Sequence, residues 1–164
     1  MRRGTAALGS AIFLLVAPGL TAGVIPWSLT GWQLEPAPPL IRGAGAMLIA
    51  LGVGFLLHAF ARFAFEGLGT PAPVAPPERL VVGGVYRYVR NPMYLAVGAT
   101  IVGQALFFGQ PELFAYAAAF GVVVVCFVHL YEEPTLANQF GESYEAYRRA
   151  VPRWLPRLTP WRDL

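Results

Sequence analysis

Four long apolar runs alternate with short polar or proline-rich stretches along the chain: Thr5 to Trp27, Leu40 to Phe60, Met93 to Gly109 and Leu113 to Tyr131. Each run is close to the roughly 20 residues that an α-helix needs to cross the hydrocarbon core of a bilayer, although the third is short and needs a thin or tilted fit. We therefore predict an all-α membrane protein with four transmembrane helices, and a fifth, broken crossing stays open.

The connections between these runs predict how the helices are arranged. Only Gly109-Gln110-Pro111-Glu112 separates the third run from the fourth, so these two helices should form an antiparallel hairpin. We divide the chain into an N-terminal hairpin over residues 1–66, which acts as a scaffold, and a core over residues 67–164. The stretch from Gly67 to Pro77 is rich in proline and predicts a stiff, extended strap that either roofs a pocket or serves only as a linker.

Beyond the fourth run, Pro134 is expected to end the helix and Thr135 to cap a new one. Apolar residues then recur at spacings of three and four, which predicts an amphipathic helix lying on the cytoplasmic face of the membrane. Gly141 is a weak point within that helix. Its apolar positions are Leu136, Phe140, Tyr144, Tyr147 and Val151.

Composition and charge support the membrane assignment and give an orientation. Of the 164 residues 56% are hydrophobic and 13% are charged, which is too apolar for an ordinary soluble domain. All 12 basic residues are arginines, and only Arg42 falls on the side opposite the others. By the positive-inside rule both termini and the middle loop are cytoplasmic, and a bacterial type of composition makes the inner membrane the expected location. The sequence pI of about 9.4 therefore reports topology and not nucleic-acid binding.

The densest cluster of arginine and tyrosine lies between the second and third runs, from Gly83 to Tyr94. Asn91 is a favoured N-cap residue and Pro92 a favoured first helical residue, so the third helix should begin here. Its free amides, together with Arg87 and Arg90, would form a site for a phosphate or carboxylate. The alternative is that these arginines only mark the cytoplasmic side of the membrane.

A second group of ionisable residues ends the fourth run. His129, Glu132 and Glu133 stand at i, i+3 and i+4, a spacing that places all three on one side of an α-helix. No other histidine or cysteine is placed to complete a metal site, so no metal is expected. The group either pairs with Arg87 and Arg90 at the interface, or binds ribose hydroxyls and an ammonium group of a zwitterionic cofactor whose acidic end lies on the arginine side.

The order of these residues resembles the isoprenylcysteine carboxyl methyltransferase family, and part of it is shared with membrane phospholipid N-methyltransferases. The similarity covers roughly residues 70–156. It rests on Gly83, Tyr86, Arg87, Tyr88, Arg90, Asn91, Pro92 and Tyr94, then His129, Glu132, Glu133 and Leu136, then Phe140, Gly141, Tyr144 and Tyr147, and finally Val151, Pro152 and Arg153.

The resemblance implies an integral membrane methyltransferase that uses S-adenosylmethionine, bound between the last two transmembrane helices and the C-terminal segment. Many family members have histidine where this chain has Asn91, so a role that needs imidazole there would be lost. The catalytic candidates are Arg87, Arg90, Arg153 and Glu133. The cofactor-binding candidates are Tyr88, Arg90, Asn91, Pro92, Tyr94, His129, Glu132, Glu133 and Tyr144.

The methyl acceptor is expected to be a small lipophilic molecule that enters from the lipid side. A carboxylate is already ionised at neutral pH and needs only positioning, for which Arg87, Arg90 or Arg153 is suited. An amine would need a base, for which His129 or one of the two glutamates is a candidate. We expect a carboxylate of isoprenylcysteine type, with a phospholipid amine and a non-catalytic scaffold protein as the alternatives.

Overall fold

The computed structural model describes residues 3–67 and 78–162, and every regular element in those ranges is helical. Most of the proline-rich strap predicted from the sequence, residues 68–77, lies outside them. A 3-10 turn (Gly84–Arg87) precedes α4, and three π-helical turns (Leu20–Val24, Phe63–Gly67 and Val128–Glu132) interrupt or extend the other helices. The α-helices are α1 (Arg3–Gly19), α2 (Ile25–Thr30), α3 (Pro39–Arg62), α4 (Pro92–Phe108), α5 (Glu112–Phe127), α6 (Glu133–Phe140) and α7 (Glu142–Ala150).

Three continuous helical stretches are long and apolar enough to cross a membrane: Leu8–Thr30, Pro39–Glu66 and Glu112–Phe140. Their outward faces carry many large hydrophobic side chains, such as Leu15 and Val123, and proteins in water rarely expose apolar surfaces of this extent. The chain is therefore an integral membrane protein. The third predicted span corresponds to α4, a shorter apolar helix, so a total of four spans stays a prediction.

The helices α3 and α4 pack against each other with close backbone contact at glycine. A Cβ atom added at Gly52 would lie 2.5 Å from Thr100 Oγ1, and one added at Gly45 would lie 2.5 Å from the backbone nitrogen of Phe107. Gly43 and Gly54 have open space around them. Of these four glycines of α3, only Gly45 and Gly52, which stand seven residues apart, therefore face α4.

The π turn between α1 and α2 is held by side chains from the other helices. Because Pro26 has no N–H, the helix cannot continue its regular backbone ladder there, and carbonyl groups one turn earlier need other donors. Gln104 Nε2 donates to the Ala22 carbonyl at 2.7 Å, and Tyr116 Oη donates to the Thr21 carbonyl at 2.7 Å. Two polar side chains of α4 and α5 thus fix the first helix in place.

The prediction that Pro134 ends the fourth helix is wrong, because α5 continues through the π turn into α6. In that turn the Glu133 amide donates to the carbonyl of Val128, five residues back, and this wider turn accommodates the proline ring. Thr135 does not cap a new helix, since its hydroxyl donates to the Tyr131 carbonyl at 2.7 Å.

The helix instead ends at Gly141, which has φ of 52° and separates α6 from α7. The single amphipathic helix expected here is therefore two helices. The apolar residues predicted to share its face nevertheless lie in one cluster, to which Leu80, Val82 and Trp161 also contribute.

The glycine contacts between α3 and α4 generate a matched pair of predictions. Gly52→Ala should destabilise the protein by about 1–3 kcal/mol, because its methyl group overlaps Thr100 in the helix interface. Gly54→Ala adds the same methyl group in open space and should be neutral or stabilising by up to about 1 kcal/mol, since alanine favours helix. Thermal unfolding in detergent, followed by tryptophan fluorescence, measures both. Equal midpoints for the two variants would contradict the observed packing.

Candidate functional site

The C-terminal tail lies across the 3-10 turn that precedes α4, and three backbone hydrogen bonds hold it there. The amide of Arg90 donates to the Pro152 carbonyl at 3.0 Å, and the amides of Arg157 and Trp161 donate to Tyr88 and Arg87 at 2.9 Å each. The Tyr147 hydroxyl of α7 adds a bond of 2.7 Å to the Tyr86 carbonyl. Two segments that are distant in sequence are thus joined at one end of the helices.

One buried ion cluster sits at this junction. Arg153 donates two hydrogen bonds to Glu133, from Nε to Oε1 at 2.8 Å and from Nη2 to Oε2 at 2.6 Å. Arg90 Nη1 also donates to Glu133 Oε1, at 2.7 Å, and to Tyr144 Oη at 3.2 Å. Glu133 is 6% exposed and Tyr144 is 2% exposed, so the cluster lies largely out of water. Burial raises the pKa of the Tyr144 hydroxyl, which therefore stays neutral at physiological pH.

The cluster holds two guanidinium groups and one carboxylate, so it carries one net positive charge. Such groups lose their hydration on burial and are retained only where every charge finds partners of good geometry. Because the three residues come from the segment before α4, from α6 and from the tail, the ion cluster fixes these three parts against one another.

A second polar contact lies beside the cluster. Tyr94 Oη, in the first turn of α4, donates to Glu132 Oε2 at 2.8 Å. Glu132 belongs to the π turn and precedes the buried Glu133, so consecutive carboxylates serve different partners. Glu133 is enclosed by arginines, whereas Glu132 is half-buried and lines a cavity.

That cavity has a volume of about 160 Å³, is partly open, and is lined by both polar and apolar side chains. Its polar lining comprises Tyr86, Arg90, Asn91, Tyr94, Glu132 and Thr21 of the first π turn. Its apolar lining comprises Phe13, Ala17 and Pro18 of α1, Phe60 and Phe63 at the end of α3, Pro92, Met93 and Val97 of α4, and Phe120 of α5. The cavity is thus lined by charged side chains of both signs, Arg90 and Glu132, and by apolar side chains.

A family profile for phospholipid methyltransferases matches residues 41–143, which include α4, α5 and the residues that form this cluster apart from Arg153 and Tyr144. The chain belongs to the phospholipid methyltransferase family. The match extends over more than half of the chain, and the family resemblance that the sequence motifs predicted is confirmed.

Two curated proteins are similar to the chain. A protein-S-isoprenylcysteine O-methyltransferase of Schizosaccharomyces pombe is 35% identical over 82 residues, which cover 48% of this chain and 34% of that protein. A methanethiol S-methyltransferase of Pseudomonas deceptionensis is 27% identical over 169 residues, which cover 96% of this chain and 60% of that protein. The chain therefore spans between a third and three fifths of these relatives. No solved structure was found that matches it significantly.

Several candidates of the sequence analysis do lie together in this member of the phospholipid methyltransferase family. Arg90, Arg153, Glu133 and Tyr144 form the ion cluster, and Asn91, Pro92, Tyr94 and Glu132 line the cavity together with Arg90. Asn91 precedes α4 as expected, but its side chain makes no capping bond. It donates instead to the Arg153 carbonyl at 3.2 Å, and so helps to hold the tail.

The other three candidates lie elsewhere. Arg87 Nε donates to the Trp161 carbonyl at 2.6 Å, and the side chains of Tyr88 and His129 are exposed. The expectation that His129 shares a face with both glutamates assumed α-helical geometry. A π turn contains an extra residue, which changes the angle between these side chains about the helix axis.

The sequence analysis missed two contributions to the cavity. Tyr86 was part of the family motif but received no role, although it is 5% exposed and lines the cavity. The N-terminal hairpin was assigned to the scaffold alone, yet Phe13 and Pro18 form part of the apolar wall. Only the proline within the first apolar run hinted at an irregular helix there.

The ion cluster generates a prediction on stability. Glu133→Ala should lower the stability by about 3 kcal/mol, because it leaves two arginines without their buried carboxylate. The matched control is Glu145→Ala, which removes a pair with Arg148 whose side chains are 38% and 44% exposed and should cost less than about 1 kcal/mol. Thermal midpoints in detergent measure the difference. A Glu133 variant as stable as the Glu145 variant would contradict the structural role of the cluster.

Proposed function

We propose that this protein is an S-adenosylmethionine-dependent methyltransferase that acts on a lipophilic acceptor at the cytoplasmic face of the membrane. The proposal rests on the observation that Arg90, Glu132 and a set of apolar side chains line the same cavity. The family membership and the methyltransferase names of both relatives support it. In this proposal residues 67–164 form the catalytic core, and the hairpin of residues 1–66 contributes the apolar wall.

The polar side chains of the lining suit S-adenosylmethionine, which carries a carboxylate, an ammonium group, ribose hydroxyls and a cationic sulfonium. Glu132 uses one oxygen for Tyr94, so its other oxygen can accept from a hydroxyl or an ammonium group. Arg90 lines the cavity, and its guanidinium group suits a carboxylate. Arg90, Asn91, Pro92, Tyr94 and Glu132 would hold the cofactor, with Glu133, Tyr144 and Arg153 fixing Arg90 from behind.

When bound, this cofactor supplies an electrophilic methyl group. The carbon–sulfur bond would break as the bond from the methyl carbon to the acceptor atom forms, with its electron pair left on sulfur. An anionic acceptor would become neutral, and no proton would move. The protein therefore needs to orient the acceptor and exclude water, which the apolar wall does, and it needs no general base.

A carboxylate of isoprenylcysteine type is the acceptor that we propose first. Neither histidine lines the cavity, since His58 and His129 are both exposed, so deprotonation of an amine would fall to Glu132. An anionic acceptor needs no deprotonation, and it can pair with Arg90, which lines the cavity. For the same reason a phospholipid amine is the weaker alternative, although the family is named for it.

A thiol is the second candidate acceptor, because the methanethiol S-methyltransferase aligns over nearly the whole chain. A thiolate reacts far better than a thiol, and a neighbouring guanidinium group lowers the pKa of a thiol. Arg90 would stabilise a thiolate as it would a carboxylate.

Binding and labelling experiments test the proposed function. Calorimetry in detergent should show saturable binding of S-adenosylhomocysteine, and Glu132→Gln should weaken it about tenfold, the loss expected for one charge-assisted hydrogen bond. The control Glu145→Gln changes a carboxylate on α7 whose side chain is 38% exposed, and it should leave binding unchanged. No heat of binding at any concentration would favour a non-catalytic membrane protein.

The class of acceptor is read from the labelled product. Membranes that contain the protein are incubated with donor carrying a radioactive methyl group, and the lipid extract is treated with mild base. A methyl ester releases labelled methanol, a methylated amine keeps its label, and a small thioether is recovered as a volatile product. Label retained on phospholipid headgroups would overturn the anionic acceptor.

A further inference from the structure

The turn that leads into α4 is tied to the end of α3 by one carboxylate. Glu66, in the π turn that follows α3, accepts a hydrogen bond from the Gly83 amide through Oε2, at 3.0 Å. Its other oxygen accepts from Arg62 Nη1 at 2.6 Å, one helical turn earlier. A side chain of the N-terminal hairpin thus holds the backbone of the core, 17 residues further along the chain.

The contact is close because two consecutive glycines begin the turn. A Cβ atom added at Gly83 would overlap the carboxylate of Glu66. One added at Gly84 would lie 2.7 Å from His58 Nε2 and 2.8 Å from Arg62 Nε. Gly84 also has a φ of 57°, a conformation that favours glycine. A larger residue at either position would push the turn away from α3, so both glycines serve this contact.

The turn links Gly83 to the cavity. Gly84–Arg87 is a 3-10 turn in which the Tyr86 amide donates to the Gly83 carbonyl at 3.1 Å, so hydrogen bonding fixes the relative positions of these residues. Tyr86 lines the cavity together with Phe63, and the centres of their rings are 5.8 Å apart. Arg90, which follows the turn, lines the same cavity.

This part of the cavity lining therefore lies between two points of attachment. On the C-terminal side, the ion cluster and the tail hold Arg90. On the N-terminal side, the bond from Gly83 to Glu66 holds the start of the turn. A binding site needs its polar groups held within about 0.5 Å of one geometry, and a segment fixed at both ends meets this need better than one fixed at a single end.

The exposure of the pair separates this role from a contribution to stability. The side chains of Arg62 and Glu66 are 43% and 31% exposed, and ion pairs with such exposure stabilise folded proteins only slightly. Removing Glu66 should therefore leave the protein folded while it frees the Gly83 amide. The main effect of this carboxylate is then on where the turn lies.

We propose that Glu66 is a positioning residue for the cofactor site, because it fixes the Gly83 amide and, through the turn, Tyr86 and Arg90. Glu66 stands outside the lining of the cavity, so its effect passes through the turn. The inference rests on the proposed function, since cofactor affinity is one of its readouts. It extends the role of the N-terminal hairpin from an apolar wall to the placement of the polar lining.

Cofactor affinity and thermal stability are compared in variants of the full-length protein in detergent. Glu66→Ala should weaken S-adenosylhomocysteine binding about fivefold, because the apparent affinity falls with the fraction of protein in the binding-competent state. Glu66→Gln keeps an oxygen that can accept from the Gly83 amide, so its affinity should stay within about twofold of the wild-type value. Glu145→Ala removes a comparably exposed ion pair on α7 and is the matched control, with unchanged affinity and a thermal midpoint similar to that of Glu66→Ala.

Hydrogen–deuterium exchange gives a readout that needs no ligand. Peptides that cover residues 83–91 should exchange faster in Glu66→Ala than in Glu66→Gln or Glu145→Ala, because the turn opens more often without its attachment to α3. Peptides of α5 should exchange alike in all three variants.

The outcomes separate this inference from the proposed function. If the wild-type protein binds S-adenosylhomocysteine, equal affinity in Glu66→Ala and Glu145→Ala would overturn the positioning role, and so would an equal loss in Glu66→Gln. A thermal midpoint of Glu66→Ala far below that of Glu145→Ala would assign Glu66 to stability instead. If the wild-type protein binds none, the proposed function fails; unaltered exchange over residues 83–91 would then overturn the attachment of the turn as well, whereas faster exchange would support it.

Discussion

The fold at the functional end of this protein depends on one buried carboxylate. Glu133 receives bonds from Arg90 and Arg153, and these residues reach it from opposite ends of the core sequence. Removing one arginine would leave Glu133 paired with the other, whereas removing Glu133 would leave both arginines without their carboxylate. The hairpin of α4 and α5, the turn before α4 and the C-terminal tail therefore have one common point of attachment, and the cavity lies next to it.

This attachment explains why neighbouring glutamates behave differently. Both oxygens of Glu133 accept hydrogen bonds from arginines. Glu132, one residue earlier, accepts a hydrogen bond from Tyr94 and lines the cavity. The π turn makes this division feasible, because it ends at Glu132 and returns to α-helix at Glu133. The structural role of Glu133 and the proposed ligand-binding role of Glu132 thus fall to adjacent residues because the helix geometry changes between them.

The sequence allowed the membrane class, the α4 and α5 hairpin and the meeting of Arg90 with the glutamates to be predicted, because hydrophobic runs and a short loop determine them. It did not reveal that the helix passes Pro134 or that His129 turns outward, since both follow from a π turn that leaves no clear pattern in sequence. The distinction between Gly52 and Gly54 depends on which face of α3 meets α4. The place of Tyr86 in the cavity lining depends on how the turn before α4 packs, which the sequence does not show.

The balance of charges around the cavity has a consequence for what can be retained there. Arg90 and Arg153 share the buried Glu133, and Glu132 lines the cavity beside them, so these four side chains balance formally when Glu132 is ionised. An unbalanced charge is costly in a region of low dielectric constant. A molecule with separated charges of both signs, such as the proposed cofactor, would therefore be retained more readily than one with a single uncompensated charge.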